Sequence, residues 1–315
     1  MSSRLSRLDR HVPPLAALAV AILAVSTSAI LVTWSDAPSL VKAFYRVLFT
    51  TLLLAPFAVT RHASDFRQIR RRDLLVAAAS GVALAFHFAS WFESLEWTTV
   101  AASVTLVQAQ PLFVAVGAWA LLDERVTGRT VVGILVAVVG MVVMSVGDLL
   151  SGVAVAAPRP LYGNALAVVG AVTAAGYVLA GRSLRQRIAL LPYVTVVYSV
   201  CAVVLLGLTL AEGHALVGYP PREWILFLAM AVGPGLFGHT VINWALAHLE
   251  SSVVSVSLLG EPVGSTLLAL VLLGQVPTGP TLVGGAVVLG GIYLTSKSDN
   301  PPDSSPEGAE STPAE

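Results

Sequence analysis

The sequence predicts an all-α integral membrane protein: ten transmembrane helices in two inverted five-helix repeats, with both termini cytoplasmic. Three observations carry that expectation. Of 315 residues, 56% are hydrophobic and 11% charged, against about 25% charged in an average soluble domain, and the mean hydropathy is +0.82. Apolar stretches of about 20 residues, the length that crosses a bilayer, recur ten times along the chain. Residues 81–145 also repeat at 232–296 with a fixed offset of 151.

The elements follow in order. Residues 1–12, a basic N-terminal segment, precede the apolar run Pro13–Val32. That run exceeds the roughly 7–15 apolar residues of a cleaved signal peptide, so it is expected to be a first span and a retained signal anchor. The expected spans are 13–34, 38–60, 73–94, 98–122, 130–148, 161–181, 191–211, 223–246, 252–274 and 279–296. They group as a first repeat over 13–148, an extracytoplasmic linker over 149–160 and a second repeat over 161–296. The tail 297–315 is rich in Pro, Ser and Glu, cannot bury a core, and is expected to be disordered.

Basic residues fix the expected orientation. With the N-terminus in the cytoplasm, 14 of the 18 Lys and Arg fall in cytoplasmic segments and two, Arg159 and Arg222, in outer loops. Lys42 and Arg46 lie within a span. Nine spans would break this asymmetry. Net charge is zero, so no basic field points to nucleic acid. Cys201 is the only cysteine and has no intramolecular partner.

The offset of 151 superposes Pro111 on Pro262, Thr127-Gly128 on Thr278-Gly279, and Gly133 and Gly140 on Gly284 and Gly291. A repeat of five spans, an odd number, turns the second copy upside down. Inverted repeats are common in secondary transporters, whose substrate sites lie between the repeats. The stretches STSAILVTWSDAPSLVKAFYRVLFTTLLLAP (26–56), ASVTLVQAQPLFVAVGAWALLDERVTGRTVVGILVAVVGMVVM (102–144) and SSVVSVSLLGEPVGSTLLALVLLGQVPTGPTLVGGAVVLGGIYL (251–294) resemble the EamA-like branch of the drug/metabolite transporter superfamily. The resemblance implies the ten-helix fold, helices 5 and 10 at the periphery, and a small-molecule substrate drawn from a wide range that includes amino acids, sugars, nucleotide conjugates and drugs. Two positions depart from the family pattern. Gln110-Pro111 stands where the second copy has Glu261-Pro262, and Gln275 stands where the first copy has Glu124.

Several polar residues in apolar surroundings are candidates for the site. Glu261 costs roughly 2.5–3.5 kcal/mol near the bilayer centre. It either binds a proton or cationic group or satisfies backbone groups loosened by Pro262. Ser257, Gly264 and Ser265 share its helical face and are expected to form a cavity wall. Arg46, with Tyr45 beside it and Lys42 one turn earlier, either binds a carboxylate or packs structurally. The resemblance favours Arg46 as the carrier of that role, and Lys42 is expected to snorkel to the outer headgroups. His87 and His239 fall nearly at equivalent positions of the two repeats, and Asn243 lies one turn after His239. They either relay protons or bridge helices. Gln110 is expected to repeat the bent geometry at Pro111 without the charge, and Trp91 to stack on a ligand or in the core. Glycines spaced by seven, Gly133, Gly140 and Gly147, read as a packing stripe.

Rival functions lack their motifs. The sequence contains no G-x-S-x-G elbow, H-E-x-x-H pair or aspartate-rich diphosphate motif. Gly181-Arg182-Ser183 lacks the trailing glycine. No carboxylate ring marks a channel filter, and no Cys/His cluster has metal-ligand spacing. The expectation is therefore a cofactor-free carrier in the cytoplasmic membrane. It moves small metabolites, with amino acids or related compounds, export and proton coupling as the favoured options; a passive pore and an intramembrane enzyme are the alternatives. Oligomeric state is open.

Overall fold

The computed structural model of the chain describes residues 14–122, 127–151, 157–185, 187–241 and 257–296. The expected N-terminal segment and the tail lie outside the described residues, as do Asn243 and the rest of 242–256. The described residues form helices α1 (Pro14–Trp34), α2 (Ser39–Arg61), α3 (Ala63–Gln68), α4 (Arg71–Trp97), α5 (Val100–Val107), α6 (Gln110–Leu122) and α7 (Gly128–Ser151). They continue as α8 (Pro160–Leu184), α9 (Leu190–Ala211), α10 (Pro221–Met230), a π-helical stretch (Ala231–Thr240), α11 (Gly260–Leu273) and α12 (Gly279–Ser296). Seven helical segments among them are long and apolar enough to cross a membrane. Two further helices, α11 and α12, are apolar and shorter. Large apolar side chains such as Leu75, Leu135 and Val271 point outward, as lipid rather than water would require.

The fourth expected span is not one bent helix. It breaks into α5 and α6 at Gln108-Ala109, and Pro111 falls in the first turn of α6. Pro262 falls likewise in the first turn of α11. Proline fits there because a first-turn N–H has no intrahelical partner to lose. The prolines therefore begin helices and do not kink them. At the first break, short turns keep the backbone bonded: Gln108 N donates to Val104 O and Ala109 N to Leu106 O, both at 3.1 Å. Thr99 caps α5 through Ala102 N at 3.3 Å, and Gln275 Oε1 accepts from Val100 N at 3.0 Å. Gln275 thus holds the start of α5.

Helices α7 and α12 pack antiparallel along their glycines. A Cβ on Gly140 would lie 2.7 Å from Gly284 O, and one on Gly291 would lie 2.6 Å from Gly133 O. Both helices start with the same cap: Thr127 Oγ1 accepts from Thr130 N, and Thr278 Oγ1 from Thr281 N, each at 3.2 Å. Elsewhere α4 lies against α8 and α9, α9 against α2, and α1 against α11 and the π-helical stretch. One apolar core joins α1, α2, α4, α9 and α10, and a second joins α5–α7 to α12.

The glycine seam predicts a graded response. Gly284→Ala should lower the unfolding temperature in detergent, because the backbone oxygen it meets cannot yield, at a cost of about 1–3 kcal/mol. Gly290→Ala, whose Cβ would meet nothing within 4 Å, should leave it unchanged or raise it. Equal effects would show that close approach is not what these glycines provide.

Candidate functional site

The site forms where the broken helices meet. Gln108, at the C-terminal end of α5, donates from Nε2 to Glu261 Oε2 at 2.5 Å. Glu261 sits in the first turn of α11, where the helix dipole favours a negative charge. Both side chains line a cavity of about 120 Å³ shared with Ser28, Arg46, His87, Trp91, Gln110, Tyr177, Tyr198 and Pro234. Opposite charges on α2 and α11 thus face one interior space.

Arg46 is almost fully buried, 2% exposed. Its Nη1 donates to Ser28 Oγ at 2.9 Å. Its guanidinium lies 4.6 Å from the ring centroid of Phe88, 5.5 Å from Phe92 and 5.7 Å from Trp91. Aromatic faces attract a cation without neutralising it, so the positive charge stays directed at the cavity, opposite Glu261. His87 donates from Nδ1 to Gly170 O at 2.9 Å and stacks on Trp91 with ring centroids 5.7 Å apart. That bond assigns the Nδ1–H tautomer and leaves Nε2 as an acceptor.

The π-helical stretch brings Pro234 to the cavity. Thr50 Oγ1, bonded to Arg46 O at 2.8 Å, also reaches Ala231 O at 3.4 Å. Gly235 sits against Thr50, with no room for a Cβ. Departures from α-helical winding are frequent at functional sites, and here the departure abuts the arginine's own helix.

Of the residues singled out from sequence, Glu261, Arg46, His87, Gln110 and Trp91 come together around the cavity. Tyr45 does not join them. Its hydroxyl donates to Leu216 O at 2.5 Å, and its ring stacks on Phe227, 5.0 Å away, and meets Trp224 edge-on. The side chain of His239, like Asn243, lies outside what is described. Lys42 corrects an expectation. It does not snorkel: it is 1% exposed and pairs with Glu96 Oε1 at 2.6 Å. The face expected to wall the cavity also has another role. Ser265 Oγ donates to Ser26 O at 3.0 Å, and a Cβ on Gly264 would strike Ser26 Oγ. That face is the contact with α1.

A buried arginine and a buried carboxylate line one cavity beside interrupted helices in a bundle with membrane-length helices, an arrangement that discontinuous-helix sites of secondary transporters share. The sequence profile of the EamA-like transporter family matches residues 13–146 and again 161–297. The chain belongs to that family. It is 25% identical over 257 residues to an uncharacterized transporter of Archaeoglobus fulgidus, covering 81% of this chain and 86% of the relative. It is 24% identical over 278 residues to the uncharacterized transporter YetK of Bacillus subtilis, covering 85% and 81%. It is 26% identical over 253 residues to a probable terminal-alkyne amino-acid exporter of Streptantibioticus cattleyicolor, covering 78% and 81%. A solved crystal structure aligns with a TM-score of 0.60 at 20% identity, over 90% of this chain and 97% of its own. That likeness concerns the fold alone.

The Gln108–Glu261 bond is measurable. Hydrogen bonds to charged groups contribute about 1.5–3 kcal/mol. A double-mutant cycle of Gln108→Ala and Glu261→Gln, read by unfolding in detergent, should give a coupling of about 1–3 kcal/mol. Additive losses would mean the two side chains do not act together.

Proposed function

We propose that this protein is an alternating-access carrier for a small zwitterionic metabolite of the amino-acid class, exporting it across the cytoplasmic membrane. The observation that carries the reading is the single cavity holding Arg46 and Glu261. Arg46 would bind the substrate carboxylate through the planar donor fork suited to it, and Glu261 the ammonium group. Gln108 orients the carboxylate of Glu261. Gln110 and His87 supply further polar contacts, and Trp91 an apolar wall. The cavity volume decides between small and large cargo: about 120 Å³ is well below the roughly 300–1,000 Å³ typical of drug-sized ligands. The name of the Streptantibioticus relative, an amino-acid exporter, supports the same class.

The inverted repeat belongs to this reading. Its support is that α2 and α9 begin at residues 39 and 190, and α7 and α12 at 128 and 279, both pairs separated by the 151 of the sequence repeat. The contacts of Gly133 with Gly291 and of Gly140 with Gly284 exchange under the same offset. Two antiparallel helices exchanged in that way are related by a two-fold axis across them, hence in the membrane plane. That symmetry and the distribution of arginines together support ten spans with both termini cytoplasmic. Glu261 would exchange a proton for the substrate cation and so couple transport to the proton gradient.

Reconstituted protein tests the reading. Proteoliposomes loaded against a gradient should accumulate a neutral amino acid with saturable kinetics, driven by a pH difference. Glu261→Gln should cut the rate at least about tenfold, the loss of one interaction near 1.4 kcal/mol, and abolish the response to pH. Arg46→Ala should harm zwitterions more than the corresponding amino-acid amides. Downhill, non-saturating flux would sink the carrier, and equal losses for acids and amides would reduce Arg46 to a structural role.

A further inference from the structure

We propose that the groove between α4 and α8 binds one anionic phospholipid of the surrounding bilayer, with its phosphate on Arg72 and one acyl chain along the groove. The groove has a volume of about 460 Å³, and Arg72 stands at one end of its lining. Below Arg72 the lining on α4 runs through Leu75, Val76, Ala79, Ser80 and Ala83, and Gly176 and Ala180 face it from α8. The concavity comes from missing side chains: a Cβ on Gly176 would approach Ala83 at 3.7 Å, and the alanines add only methyl groups.

Chemistry and dimensions select the occupant. Ser80 supplies the one polar side chain below Arg72, and its hydroxyl is engaged by Tyr193 OH at 3.0 Å and Tyr177 O at 3.4 Å. The ligand must therefore be apolar along its length and charged at one end. From residue 72 to 83 the helix rises about 16 Å, roughly half the ~30 Å hydrocarbon thickness, which is the depth of one leaflet. A soluble solute has no such shape.

Charge selects among lipids. Arg72 is exposed and forms no ion pair or hydrogen bond among the described residues. Its neighbour Asp73 is already engaged by Arg187 at 3.2 Å. At this end of the bundle the described residues include eight arginines (61, 67, 70, 71, 72, 129, 185 and 187) and two acids, Asp65 and Asp73. That surplus favours a net-negative headgroup over a zwitterionic one. The inference does not depend on what the central cavity carries, because the groove opens to the lipid face.

Lipid composition after reconstitution tests it. The full chain is placed in nanodiscs of equal phosphatidylglycerol and phosphatidylcholine, extracted gently, and its retained lipid counted by native mass spectrometry. Wild type should retain one phosphatidylglycerol in about fivefold preference, the effect of one arginine near a membrane surface. Arg72→Gln should abolish the preference, Arg72→Lys should keep it, and Ala79→Leu should lower retention of both lipids by filling the groove. Millimolar inorganic phosphate should not compete, which separates a lipid site from a phosphate site. Equal retention of the two lipids by wild type would overturn the proposal, as would a preference that survives both Arg72→Gln and Ala79→Leu, or loss of the bound lipid to phosphate.

Discussion

A backbone that leaves helical geometry inside hydrocarbon must still bond every N–H and C=O, and no water is there to help. The interior of this protein follows from that constraint. The α5–α6 break and the start of α11 are tolerable only where other helices enclose them, and α1, α8 and α12 do so. The two interruptions are tied by Gln108 and Glu261. Once joined, they leave side chains, not helix walls, facing the interior. The cavity therefore opens where the helices fail to continue, and Gln108, Gln110 and Glu261 at those ends share it with Arg46 and His87 of the unbroken α2 and α4.

The same constraint explains how Arg46 is kept. A guanidinium in a low-dielectric interior needs partners or it destabilises the fold. Among the described contacts, Ser28 Oγ accepts from its Nη1, three aromatic rings offer their faces, and Glu261 attracts from across the cavity. The serine and the ring faces hold the guanidinium at the cavity wall.

Much of this was legible in the sequence. Apolar length set the helices, and the fixed offset of 151 anticipated the matched starts of α7 and α12. Glu261, Arg46, His87, Gln110 and Trp91 stood out as polar or aromatic groups in apolar runs, and the fold gathers them. Gln108 was missed for a geometric reason. In one continuous helix, residues two apart lie about 200° around the axis, so Gln108 and Gln110 would face opposite sides. Only the break turns both into one cavity. The Q-A-Q-P spelling was the available signal, with two amides flanking the residue before a proline. Tyr45 erred in the other direction: adjacency to Arg46 means a rotation of about 100°, which carries it into a different aromatic cluster. Lys42 was misread because its partner, Glu96, lies 54 residues away. No helical periodicity reports such a pair.

The offset also exposes an inequality between the halves. Arg46 corresponds to Val197, Gln108 to Leu259, His87 to Gly238, and Gln110 to Glu261. Among the described residues the cavity is accordingly lined by one arginine and one carboxylate, not two of each. With both ionised, their charges cancel, and a zwitterion added between them keeps the sum at zero. Moving a unit charge through the membrane field involves about 2.3 kcal/mol per 100 mV. Binding a zwitterion therefore adds no charge to the site, whereas in the proposed proton exchange the substrate-free state, with Glu261 protonated beside Arg46, would carry one positive charge through that field.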